Sequence, residues 1–347
     1  MKIIIFSPTG TIFTLDKSQT LGGADSTLLR MIDYLAEENK VIAFIPIKEK
    51  DTSFRGENCQ IHPYESIFNH ELECDLLIHY RKLWAIPNNI KYKKAIFYSQ
   101  DTADTPCFNG AKEKEKALQM YNQVWCLSEF HKENLQNTFS IPDEKIYIIG
   151  NATEEYKPTE KKRLKFIYCS TPFRGLDVLL RMWIKISAKY PDAELHIYSS
   201  MKIYGAEQLD QLQFGKMFND MKTGRFKNLI WHGSVSHDEL MEALQSSFML
   251  LYPNTYPETY CNVIMESRAC LTPFITSNLG AIRETGEGAG FFIKGNARTE
   301  EYQKEFLSTL DMVIEDPEIY KMLQDNCYPV RTFEEYKKDL YSGINKE

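Results

Sequence analysis

No stretch of this 347-residue sequence approaches the roughly 18 consecutive apolar residues of a membrane-spanning helix, so the chain is expected to be soluble or at most peripheral at a membrane. Basic charge is not in excess either. Forty-one Lys and Arg stand against 48 Asp and Glu, and a net charge of −7 provides no global field for nucleic acid. The eight cysteines, Cys59, Cys74, Cys107, Cys126, Cys169, Cys261, Cys270 and Cys327, include no C-x-x-C pair and no accompanying His cluster. That removes the usual zinc modules and leaves small buried thiols in a reducing, cytoplasmic setting. No G-x-G-x-x-G follows an expected strand, which disfavours an NAD-dependent dehydrogenase. Polar low-complexity sequence is missing too, and an apolar content of 43% is enough to bury a core along the whole length.

What is present is a repeated alternation. Twelve short apolar runs bounded by turn signals, each followed by a polar or amphipathic segment, predict buried parallel strands joined by helices. Six lie at 2–6, 41–46, 75–79, 95–98, 123–128 and 145–149, and six at 165–170, 194–199, 228–232, 247–252, 273–277 and 289–294. The first run is too short for a signal peptide and reads as a strand. Between the sets, residues 151–163 are polar, proline-bearing and without apolar period, as a linker is. The expected architecture is therefore α/β, with two Rossmann-like, doubly wound parallel-sheet domains at 1–150 and 164–328, a size that suits the length. Ligand sites in such folds lie beyond the carboxyl ends of the strands, and a cleft between the domains is the default active site.

Two further stretches have a local reading. After Gly175, the stripe Leu176, Leu179, Leu180, Trp183 and Ile186 predicts a packed helix. From Thr299 to Asn345 the pattern is helical, with breaks at Pro317 and Pro329. Lys82, Lys91, Lys93 and Lys94 beside Tyr80, Trp84 and Tyr92 form either a solvated loop face or a surface for phosphate or peripheral membrane contact.

The segment richest in chemistry is Pro257-Glu258-Thr259-Tyr260-Cys261-Asn262-Val263-Ile264-Met265-Glu266-Ser267, which follows one apolar strand and opens an apolar helix. A helix starting near Tyr260 to Asn262 presents unsatisfied N–H groups to a diphosphate, with Glu258 just before it and Glu266 about a turn inside. Those carboxylates could accept bonds from sugar hydroxyls and ribose hydroxyls respectively. In the alternative reading Glu258 is a helix-start acid favoured by the dipole and Glu266 an ordinary helix residue.

With this E-x7-E in the second half, the sequence resembles glycosyltransferase family 4, whose members are retaining GT-B enzymes. The similarity covers most of the chain. Leu21-Gly22-Gly23-Ala24-Asp25-Ser26 matches the family's glycine loop and helix start, where Gly22 and Gly23 would let the backbone approach phosphate. Tyr168-Cys169-Ser170-Thr171-Pro172-Phe173-Arg174-Gly175 matches the loop that carries cations for the donor diphosphate. Arg174 occupies the lysine position, and the earlier arginine of the family pattern is absent, Ser170 lying nearby. Its removal is expected to slow turnover and leave the fold intact. Trp231-His232-Gly233-Ser234-Val235 is similar to the loop that receives the nucleobase, and Ser277-Asn278-Leu279-Gly280-Ala281-Ile282-Arg283-Glu284 to the loop behind the Glu pair. Val124 to Glu129 and Ile148 to Ala152 match landmarks that close the first domain.

One departure concerns the family's His-Asp pair, which here reads Gln100-Asp101. Glutamine can orient a sugar but cannot act as a base. His79, His131, His196 and His232 read as structural.

The resemblance implies two domains facing across a cleft, with residues 329–347 forming a helix that returns to the first. It also implies a retaining, metal-independent hexosyl- or pentosyltransferase. The donor would be a UDP- or GDP-linked sugar as co-substrate, with no further cofactor, and the acceptor a glycan, lipid-linked or other hydroxyl compound. Arg174, Glu258 and Gln100 would be catalytic. Gly22, Gly23, Arg174, Gly233, Val235, Glu258, Tyr260, Cys261, Asn262, Val263 and Glu266 would hold the donor. A nucleotide-sugar epimerase on the same fold, or a non-catalytic glycan-binding or scaffold subunit, are the alternatives.

Overall fold

The computed structural model of the chain describes residues 1–8, 12–15, 21–69, 71–109 and 114–346. These residues form two compact units: Met1–Asn151 with Glu334–Glu347, and Ala152–Phe333.

Unit 1 contains strands β1 (Lys2–Phe6), β2 (Lys40–Ile45), β3 (Ser53–Arg55), β4 (Cys59–Pro63), β5 (Leu72–Tyr80), β6 (Ile90–Tyr98), β7 (Gln123–Cys126) and β8 (Ile146–Ile148). Its first three helices are α1 (Gly23–Glu38), α2 (Lys114–Gln119) and α3 (Glu129–Phe139). The sheet order is β3-β4-β2-β1-β5-β6-β7-β8, and every neighbouring pair is parallel except β3 with β4. Ile3, Ile4 and Ile5 are fully buried because helices cover both faces of a doubly wound sheet. The β3–β4 pair is absent from the apolar runs. Phe54 on the edge strand β3 is largely exposed, so nothing there forms a continuous buried run.

Unit 2 contains β9 (Lys162–Cys169), β10 (Glu194–Tyr198), β11 (Leu229–Trp231), β12 (Ser247–Tyr252), β13 (Phe274–Ser277) and β14 (Gly290–Ile293), all parallel, in the order β11-β10-β9-β12-β13-β14. Its helices are α4 (Leu176–Lys189), α5 (Gln208–Leu212), α6 (Gly215–Lys222), α7 (His237–Ser246), α8 (Asn262–Ala269), α9 (Ile282–Gly286), α10 (Glu300–Glu315) and α11 (Pro317–Asp325). The stripe Leu176, Leu179, Leu180, Trp183 and Ile186 on α4 is buried against Phe166 and Ile167 of β9 and Leu250 of β12 in one core. The last helix, α12 (Phe333–Asn345), runs with unit 1: Tyr341 Oη donates to the Tyr34 carbonyl at 3.0 Å.

In each sheet the chain winds outward in one direction, returns past its first strand and winds the other way. The order reverses between β1 and β5 in unit 1 and between β9 and β12 in unit 2. In doubly wound folds the carboxyl ends of such strand pairs are where ligands bind.

The lysine-rich stretch around β6 does not act as one patch. Tyr80 is fully buried, Lys93 pairs with Asp75 at 2.6 Å, and Lys94 Nζ donates to the Ile344 carbonyl at the end of α12. Only Lys82, 5.0 Å from the Trp84 ring, keeps the expected neighbour. Alternation along β6 sends successive side chains to opposite faces and so divides the cluster. Among the described residues no helix is long and apolar enough to cross a membrane.

The glycine opening β14 is required by its neighbour. A Cβ on Gly290 would sit 2.4 Å from the backbone oxygen and from a ring carbon of Phe274, its register partner on β13. Gly290→Ala should cost roughly 1–3 kcal/mol by overpacking and lower the melting temperature of unit 2 by about 3–10 °C in calorimetry.

Candidate functional site

Arg174 and Glu258 meet at the switch point of unit 2. Arg174 ends a one-turn helix, Pro172–Arg174, directly after β9, and Glu258 follows β12. Gly175 makes the approach possible. Its φ of +104° turns the chain into α4, and a Cβ there would lie 2.1 Å from the Pro253 carbonyl oxygen. Behind Glu258 stands Gly280, whose own Cβ would be 2.5 Å from the Glu258 carbonyl oxygen, while Ala281 N donates to that oxygen at 2.8 Å. The two loops therefore clasp the carboxylate by backbone contact.

Arg174 Nη1 lies 2.9 Å from Glu258 Oε1, and Tyr252 Oη donates to the same oxygen at 2.9 Å. Both side chains are largely withdrawn from water, with 20% of Arg174 and 7% of Glu258 exposed. The Tyr256 and Phe173 rings lie 4.9 and 5.6 Å from the guanidinium carbon. Burial is the largest single influence and works against the Arg174 charge, but the attractions of Glu258, Tyr204, Tyr252 and Cys261 together outweigh it and raise the Arg174 pKa. Burial likewise pushes the Glu258 carboxyl above its ordinary range, against the pull of Arg174 and the Tyr252 bond. A guanidinium cannot give up its proton, so the carboxylate meets a fixed positive charge. Arg174 is thus half of a buried ion pair, and the expectation that its removal leaves the fold intact is corrected: its loss would strand Glu258.

Helix α8 opens at Asn262 after the cap residue Cys261, with Val263 in its first turn. Tyr260 and Cys261 form the approach to it. Glu266 lies one turn inside, where His237 Nε2 meets its Oε1 at 3.0 Å. His237 is the first residue of α7, directly after the loop that holds Gly233, at φ +74°, and Val235. The nucleobase-type loop and the second carboxylate are joined through this histidine. Sequence reasoning missed it, together with Tyr252 and Tyr256. Tyr252 is indistinguishable from a core residue at the end of an apolar strand.

The unit 1 residues are placed differently. Gly22 is buried as the N-cap of α1, with φ −66° and ψ 155°, and Gly23 is exposed as its first residue. Gly22 thus has a backbone conformation open to any residue, and left-handed freedom is not what this position uses. Gln100 is buried in the loop after β6, hydrogen-bonded to the Tyr98 side chain. The next residue, Asp101, is bound by Arg81 Nε at 2.9 Å. His79 and His131 are fully buried, their pKa values pressed down by burial to about 3 and about 4, and His196 Nδ1 lies 3.0 Å from His232 Nε2. Among the described residues no group of three or more His, Cys, Asp or Glu side chains could hold a metal ion.

The hydrogen bond that His237 donates to Glu266 raises the His237 pKa above its ordinary 6.5, so the charged pair persists below about that value and is lost as pH climbs through the raised pKa. In an NMR titration His237 should titrate above 6.5, and Glu266→Gln should return it to the ordinary value. An unchanged midpoint would mean that the bond is not formed in solution.

Residues 161–311 match the family model described as glycosyl transferases group 1. No curated protein matches the sequence. Among solved structures, sucrose-phosphate synthase from Thermosynechococcus elongatus is 13% identical, with 99% of this chain and 98% of that one covered at a TM-score of 0.70. WaaG, a glycosyltransferase involved in lipopolysaccharide biosynthesis, is 9% identical over 100% and 99% of the two chains, with a TM-score of 0.67. HepE of Anabaena, solved in complex with UDP, is 13% identical over the full length of both, with a TM-score of 0.64. The fold of this chain is that of the GT-B glycosyltransferases, and residues 161–311 within its second unit are similar to glycosyl transferases group 1.

Proposed function

We propose that the chain moves a sugar from a nucleoside diphosphate donor to a hydroxyl of a glycan or lipid-linked acceptor, with retention of anomeric configuration and without a resident metal ion. The observation that carries this reading is the meeting of Arg174 and Glu258 at the switch point of unit 2. A guanidinium offers a planar fork to two phosphate oxygens, and Arg174 Nε is buried with no partner among the described residues, a donor that a bound oxyanion would satisfy. The first-turn N–H groups of α8 add fixed dipoles toward the same negative charge.

In the reaction the acceptor oxygen forms a bond to the anomeric carbon as the bond to the diphosphate oxygen breaks. Arg174 and the helix start stabilise the charge that develops on the leaving group. Gln100 cannot take the acceptor proton, so an oxygen of the departing phosphate receives it. Glu258 orients the sugar hydroxyls and Glu266 the ribose hydroxyls. Gly233, Val235, Tyr260 and Cys261 in unit 2 complete the donor contacts through their backbones. UDP is the first nucleotide to test, because HepE was solved with UDP, as was the pneumococcal GtfA with UDP and GlcNAc, 57% of whose chain is covered here.

The two carboxylates should separate in a calorimetric titration with UDP and a UDP-sugar. Glu266→Gln should weaken both ligands alike, by roughly 1.5–3 kcal/mol for a lost charged hydrogen bond, or about one to two orders of magnitude in Kd. Glu258→Gln should bind free UDP at least as well as the wild type, since its guanidinium is released for the phosphates, and lose turnover. Equal weakening of free UDP by the two substitutions would contradict these roles.

A further inference from the structure

Unit 1 has its own switch point, between β1 and β5, and three charged side chains gather there. Asp25 sits in the first turn of α1, which follows β1. Arg81 directly follows β5, and Asp101 lies in the loop after β6. Arg81 is held at φ +69°, an uncommon conformation for a side chain of its size, with its N–H on the Tyr98 carbonyl at 2.8 Å. From there Arg81 Nε donates to Asp101 Oδ2 at 2.9 Å, and its Nη1 stops 3.8 Å short of Asp25 Oδ1.

The two carboxylates are not equivalent. The Asp101 carboxylate is engaged, accepting from Arg81 and from the Cys107 side chain. Asp25 has 6% of its side chain exposed and no hydrogen bond to its carboxylate among the described residues. It lies in the first turn of α1, after the cap residue Gly22. A buried carboxylate without hydrogen bonds is costly, and structures retain one where a ligand completes it. Burial also pushes its carboxyl above the usual range, against the pull of Arg81.

We infer that Asp25 is a binding residue for a hydroxyl of an uncharged sugar or polyol, which it grips at the switch point of unit 1 as the acceptor end of the reaction. The inference rests on the glycosyltransferase reading for the word acceptor. The local charge sets the class. Two carboxylates and one guanidinium leave the cluster net negative, and the guanidinium is committed to Asp101, so a phosphorylated or carboxylated sugar would be repelled while a neutral hydroxyl donates to Asp25. The oxygen that donates is then held at a carboxylate and kept polarised. Arg81 acts through Asp25 and Asp101 as a positioning residue, since it spans both.

The test uses the full chain labelled with 13C at the aspartate carboxyl carbons. The probes are methyl α-glucopyranoside, methyl α-galactopyranoside, methyl α-mannopyranoside, N-acetylglucosamine and glucose 6-phosphate. At least one neutral sugar should shift the Asp25 resonance, and glucose 6-phosphate should not. Asp25→Asn should weaken that sugar tenfold or more and leave the UDP affinity within twofold of wild type. If Asp25→Asn fails to fold, the wild-type titration decides alone. A resonance that no neutral sugar moves, or that glucose 6-phosphate moves more, overturns the inference, as does unchanged sugar affinity in Asp25→Asn. UDP binding is read in the same samples. Sugar binding at Asp25 without nucleotide binding would sink the donor reading and spare this one, and the converse would do the reverse.

Discussion

A guanidinium and a carboxylate withdrawn from water at 2.9 Å are the constraint around which unit 2 is organised. Neither tolerates burial alone, since the penalty of several kcal/mol per ion is offset only when each meets the other and its remaining bonds are made. A side chain on Gly175 would push the β9 and β12 connections apart, and one on Gly280 the β12 and β13 connections. Tyr252 and the ring of Tyr256 complete the enclosure. The fold itself holds both groups in place against one another.

The two units repeat one arrangement with different charge. In both, groups on the loops after the first strand and after the strand of return come together beyond the carboxyl ends: Arg174 with Glu258 in unit 2, Asp25 with Arg81 in unit 1. Unit 2 leaves the buried Arg174 Nε without a partner among the described residues. Unit 1 buries its guanidinium against Asp101 and leaves a carboxylate open, which suits hydroxyls. A doubly wound sheet supplies the place, and the residues after two strands decide the chemistry.

The sheet strands were legible because parallel strands covered on both faces must be apolar throughout, as the fully buried β12 is. The β3–β4 pair was not, because an edge strand with Phe54 exposed carries no such run. At the site, Glu258 and Arg174 stood out as charged residues after strands, but their mutual bond did not, since they are 84 positions apart and no local period links them. His237 reads as a helix-start polar residue until the fold places it beside Glu266. Asp25 reads the same way, its isolation visible only once Arg81 is seen to prefer Asp101. The Lys82 to Lys94 stretch shows the converse, because nearness in sequence is not a shared face on a strand.

The most direct test of this account is a double-mutant cycle on the ligand-free chain, with Arg174→Met and Glu258→Gln compared singly and together by denaturant unfolding of unit 2. Arg174→Met alone should cost roughly 3–5 kcal/mol, because it leaves an uncompensated buried carboxylate, and adding Glu258→Gln should restore most of that loss. If the two effects simply add, the charges do not depend on each other, and the ion pair is not what holds the site together.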